Sequence, residues 1–206
     1  LYRLRDGRLE LDTRVEVVLA GEQTQVDGAI GRPAPDLVLV NDLDHTFAAV
    51  ALDERSREVL VRHIGDLDPL GRAVAWTALW TELRAARLTA REFVAAVLSA
   101  GETQSGLLTS LLGWALTAVS RYTPVPELPG LAQLWRDGAR AAMQSAEPCS
   151  AEQLLWAKAY LKAAALAPQD VRWVLTEGAV EGLDLSVDLT WLAWESLATQ
   201  GAATGA

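Results

Sequence analysis

The sequence predicts an α+β protein: a small β-sandwich fragment, then a mostly α-helical domain of antiparallel helix pairs. Three observations carry that expectation. Leu9, Leu11, Val15, Val17 and Leu19 alternate with Glu10, Asp12, Arg14 and Glu16, which gives one apolar and one polar face, the period of a half-buried strand. From Glu54 onward the strand pattern stops, and helix-start signals recur with short links between them. Half of the 206 residues are hydrophobic and 22% are charged, so the chain can bury a core and is not a disordered tail.

Taken in order, Leu1–Arg5 and Arg8–Leu19 flank Asp6-Gly7, a dipeptide suited to a tight hairpin turn. Thr13 alone interrupts the alternation. After a loop holding Gly28, Gly31, Pro33 and Pro35, two β-rich runs follow, Leu37–Val40 and Phe47–Leu52. About five short strands are expected, a sheet with exposed edges that should lean on a missing domain or on the helices. Asp68-Pro69 reads as a helix start, with an N-cap side chain before a first-turn proline. Thr89 with Glu92, and Ser150 with Gln153, read as capping boxes. Helices are expected over 54–64, 69–86, 90–100, 104–121, 130–146, 151–166, 169–178 and 188–199. No strict repeat accompanies them, which favours an irregular superhelix of the HEAT or armadillo kind over a regular array. The expected domains are 1–53, the β-sandwich fragment, and 54–206, the helical domain. Leu1 starts in mid-strand and Gly201–Ala206 is a small-residue tail, so both ends read as cut and the helical domain as truncated.

The net charge of −9 repels a phosphate backbone, and the arginines form no basic stripe, so nucleic acid is not an expected partner. Cys149 is the only cysteine. It excludes an internal disulfide and favours a reducing, cytoplasmic location. No signal peptide is visible. The longest uncharged run, between Glu102 and Arg121, contains Gly106, Gly113 and several Ser and Thr. It reads as a buried helix and not as a membrane span.

Chemistry is thin. His45 and His63 are the two histidines, and neither has a second His or a Cys at ligand spacing; no H-E-x-x-H occurs. His45 is expected in a polar turn and His63 in a structural role on a helix. Asn41, Asp42 and Asp44 form the densest polar cluster, but calcium would need more oxygens, so turn capping is expected there. Cys149 precedes an N-cap, where a thiol can be activated, yet no His is near it in sequence. No G-x-S-x-G or phosphate loop is present. Trp76 and Trp80, and Trp191 and Trp194, stand at helical spacing and are expected in the core. Trp173, on the expected helix over 169–178, could line a groove. No catalytic, cofactor-binding or metal-ligating residue is assigned.

Pro33 to Ser56 (PAPDLVLVNDLDHTFAAVALDERS) resembles the passage from the small sandwich domain into the carboxy-terminal helical domain of the aminopeptidase N family of zinc metallopeptidases. Asp68 to Leu98, with its Ala-Trp-x-x-Leu-Trp run at 75–80, resembles the early helices of that domain, and Leu183 to Leu197 a later one. The resemblance is strongest over 33–98 and loose between 100 and 180. It implies a non-catalytic region that encloses the substrate chamber and gates access. Zinc, its H-E-x-x-H helix and the Gly-x-Met-x-Asn strand would belong to a catalytic domain preceding Leu1. The implied partners are that domain of the same polypeptide and a peptide substrate, with neither nucleic acid nor membrane. An independent helical scaffold for a protein partner is the second reading. An enzyme using Cys149 or the acidic cluster is the third.

Overall fold

The computed structural model describes residues 1–202. They form seven α-helices and a two-stranded sheet, in two compact units, 1–82 and 83 onward.

In the first unit, β1 (Tyr2–Arg5) pairs antiparallel with β2 (Arg8–Leu11), Tyr2 opposite Leu11 and Arg5 opposite Arg8. Asp6 and Gly7 make the turn with φ of 50° and 79°, the left-handed backbone that such a two-residue loop requires. The strand is shorter than the expected Arg8–Leu19. Past Leu11 the regular ladder ends in a bulge, where the N–H groups of Asp12 and Thr13 both bond the carbonyl of Leu1.

The runs Leu37–Val40 and Phe47–Leu52 are not strands, correcting the expectation of about five. Leu37 and Leu39 are buried while Val38 and Val40 are exposed, so the alternation is real, but one bridge, Tyr2 to Leu37, is all the pairing it makes. The Val38 N–H instead donates to the Ser56 hydroxyl (2.9 Å), and the Leu52 N–H to the Glu82 carboxylate (3.1 Å). Helix side chains thus take acceptor positions that a neighbouring strand would fill.

α1 (Glu54–His63) starts where Asp53 caps the Ser56 N–H at 2.9 Å. α2 (Pro69–Arg84) starts where Asp68 accepts from the Gly71 N–H at 2.8 Å. Trp76 and Leu79 on α2 are fully buried, and Trp80 is half-buried.

The second unit is all helix: α3 (Ala90–Ser99), α4 (Ser105–Arg121), α5 (Leu128–Ser145), α6 (Ala151–Ala164) and α7 (Val187–Thr199). The Thr89–Glu92 capping box is complete: the Thr89 hydroxyl accepts from the Glu92 N–H, and Glu92 accepts from the Thr89 N–H at 2.8 Å. Ser150 caps α6 through the Gln153 N–H. α5 and α6 make the most extensive helix contact, α3 packs on α4, and α6 lies against both α4 and α7. Leu131, Trp135, Ala139 and Met143 of α5 are fully buried. This i, i+4 stripe is the inward face of an amphipathic helix, each large side chain contributing about 1.5–3 kcal/mol of burial. Gly138 brings α5 close to α3: a Cβ there would meet the Leu98 side chain at 2.6 Å.

α4 explains the uncharged run. Its hydroxyls at Thr109, Ser110, Thr117 and Ser120 each donate to the carbonyl four residues back, so they need neither charge nor partner helix. No helix among the described residues is long and apolar enough to cross a membrane.

The helix expected over 169–178 is absent. Only a 3-10 turn forms, Arg172–Leu175. Asp170 accepts from the Arg172 N–H at 2.9 Å, an aspartate turn that competes with the helix. The tail expected over 201–206 lies largely outside the described residues.

Gly182 yields a first prediction. Its φ is 75°, and a Cβ would sit 2.5 Å from the Cys149 backbone nitrogen. G182A combines a left-handed backbone with a backbone clash, so it is expected to destabilise by about 2–4 kcal/mol, read by urea unfolding.

Candidate functional site

Several of the side chains weighed in the sequence are engaged in holding the fold. In the first unit, Asn41 and Asp44 have φ of 61° and 52°. The Asn41 side chain closes the turn, donating to the Thr46 carbonyl (2.7 Å) and accepting from the Thr46 N–H (3.1 Å). That is the turn capping expected of the cluster. Asp42 faces elsewhere and accepts from Arg14 Nε (2.8 Å) and the Tyr2 hydroxyl (3.3 Å). Burial, and then the Asp42 carboxylate, push the Tyr2 phenol up to about 12. Beside the turn lies an open cleft of about 140 Å³, lined by Asn41, Asp44 and Val50 and by Leu70, Val74 and Thr77 of α2. The Thr77 hydroxyl is already committed to the Ala73 carbonyl, so the cleft offers a ligand few free polar groups.

His45 is exposed. His63 Nδ1 lies 3.4 Å from Asp66, whose carboxylate also accepts from the Leu9 N–H at 2.9 Å. Asp66 therefore ties the hairpin to the turn after α1. Among the described residues no three His, Cys, Asp or Glu side chains come together as a metal-binding group. Zinc has no fitting donor set here.

Three carboxylates of this unit are held below their ordinary value. For Asp36 the causes are the Leu4 N–H and then Arg55. For Asp53 and Asp66 burial opposes the charge, but the hydrogen bonds from Ser56, and from Leu9 and His63, outweigh it. A depressed carboxylate contributes stability that is present above its unfolded value of 3.8 and lost as pH falls through the folded value. Urea midpoints should therefore be flat from about pH 7 to 5 and fall below about pH 4, with a shallower fall in D66N.

In the second unit, Cys149 is exposed, with φ of 65°. Its N–H donates to Gln153 Oε1 at 3.1 Å, so the residue is part of the helix cap. Trp173 is half-buried and tied into an aromatic cluster. Its Nε1 donates to the Tyr160 hydroxyl (3.2 Å), its ring lies 5.9 Å from that of Tyr160, and Arg140 stands 4.6 Å over its face. Tyr160 in turn donates to Gln169 at 3.2 Å. This assembly was missed in the sequence, because Arg140, Tyr160 and Trp173 lie too far apart along the chain for a local pattern to join them. Trp191 and Trp194 correct the core expectation: they are 71% and 37% exposed, because α7 buries Leu189, Ala193 and Leu197 instead. A second open groove, about 290 Å³, is lined by Leu116 of α4, Leu161 and Lys162 of α6, and Leu192 and Glu195 of α7.

The second unit is thus a stack of packed helices, α3 to α7. The ERAP1-like C-terminal domain model matches residues 37–206. The chain belongs to that family. It is also 34% identical to an aminopeptidase N of Streptomyces lividans over 201 residues, 95% of this chain and 24% of that protein. The ERAP1-like domain here is the carboxy-terminal region of an aminopeptidase N-like protein, and it spans about a quarter of the length of that relative.

Proposed function

We propose that this domain is the non-catalytic, substrate-enclosing and access-gating region of a cytoplasmic zinc-dependent aminopeptidase that removes amino-terminal residues from peptides. The carrying observation is the family match over 37–206. The packed helices α3–α7 support it, because stacked helices make a stiff wall able to exclude water and limit substrate length. Movement of that wall against the catalytic domain of the same polypeptide would gate entry and release. Zinc would reside in the catalytic domain and would supply the polarised water of hydrolysis there.

The test is to produce the catalytic part encoded by the same gene with and without this domain, and to compare hydrolysis of aminoacyl amides and of longer peptides. Length selectivity that appears only with the domain present supports the proposal. Identical turnover for every substrate length sinks it, as does a gene that encodes no zinc helix. The 1–206 chain alone is expected to hydrolyse neither substrate, with or without added zinc.

A further inference from the structure

We propose that the outer side of α7 and the groove beside it form a docking surface for a basic amphipathic helix, a partner segment that presents arginine next to leucine-like side chains. α7 has two apolar sides. Leu189, Ala193 and Leu197 are buried, while Val187, Trp191 and Trp194 are 73%, 71% and 37% exposed. With 100° per residue, the exposed stripe is centred about 130° round the helix from the buried one. An indole this exposed beside an exposed valine marks a surface that gains from being covered.

The charge specifies the partner. After Arg172 the chain carries Glu177, Glu181, Asp184, Asp188 and Glu195, and no Lys, Arg or His through Ala206. All five acids are exposed, and none makes an ion pair among the described residues. Two of them bracket Trp191: Asp188 three residues before it and Glu195 four after, both neighbours on the helix surface. A guanidinium laid on the Trp191 ring would meet the aromatic face and two carboxylates at once.

Glu195 also lines the groove of about 290 Å³ with Leu116, Leu161 and Leu192. The arginine site and a slot for apolar side chains are therefore contiguous. Lys162 on the α6 wall is the one cation lining the groove among the described residues, and it suits an acid on the far side of the partner helix. A second copy of this chain is a poor occupant, since pairing α7 with itself brings acids against acids. This inference does not depend on the peptidase reading.

The probe is a synthetic amphipathic Leu/Arg helix, with a twin in which each Arg is Glu, titrated calorimetrically into the 1–206 chain. W191S and the double variant D188N/E195Q should each weaken the Leu/Arg peptide by roughly tenfold or more. E16Q/E22Q removes the same charge from exposed acids of the first unit and should leave affinity unchanged. All the altered side chains are exposed, so thermal melts should match the parent. Four results would overturn the proposal. These are equal weakening by E16Q/E22Q, equal affinity for the Glu twin, no binding, or a concentration-dependent dimer that W191S abolishes.

Discussion

Replacing Glu82 with alanine is expected to cost about 3–5 kcal/mol, the penalty for breaking a buried ion pair from one side. Glu82 is fully buried. Its carboxylate accepts from the Leu52 N–H at 3.1 Å and stands 3.7 Å from Arg57, whose side chain is only 20% exposed. E82A strands both groups: a backbone donor with no acceptor, and a guanidinium already largely withdrawn from water. E82Q retains an acceptor for Leu52 but not the charge, so its cost should be smaller, about 1–2 kcal/mol. Urea unfolding at pH 7 separates the two. Equal losses for E82A and E82Q would place the whole effect in the ion pair, and a negligible loss for E82A would refute both roles.

The second large effect is expected at Trp135, where alanine should cost about 3–5 kcal/mol by opening a cavity in the α5–α6 contact. Trp135 is fully buried on α5, its ring 6.0 Å from that of Trp156. Its Nε1 has no hydrogen-bond partner among the described residues, so the indole is retained for volume and not for its donor. W135F should therefore lose only about 1–2 kcal/mol, since it removes a buried unsatisfied N–H together with some volume. A W135F loss as large as that of W135A would mean that the indole N–H matters after all.

The helices were legible because their start signals are local. Thr89 with Glu92 and Asp68 ahead of Pro69 cap as the sequence pattern says, since a cap needs only side chains within one turn. Ser150 caps α6 as well, although the Gln153 side chain accepts from the Cys149 N–H and so leaves the expected box half made. The fold went unread where tertiary partners replace local ones. Nothing adjacent to Leu37–Val40 announces that Ser56 will take the place of a neighbouring strand. The 169–178 segment forms one 3-10 turn, with Trp173 committed to Tyr160 and Arg140 and Asp170 capping locally. Trp191 and Trp194 misled because helical spacing identifies a face without saying which way it points. For function, the acid-flanked, exposed tryptophan of α7 could not be read from spacing and required a burial pattern.

The acceptors at Val38 and Leu52 change where substitutions are felt. When a backbone amide bonds to another strand's carbonyl, any residue can supply that carbonyl, and the pairing survives most replacements. Here the acceptors are the Ser56 hydroxyl and the Glu82 carboxylate, groups that few other side chains reproduce. Sensitivity to mutation is thereby moved off the extended segments and onto two helical positions. A saturation scan of this region should find Val38 itself permissive, and Ser56 and Glu82 among its least replaceable sites.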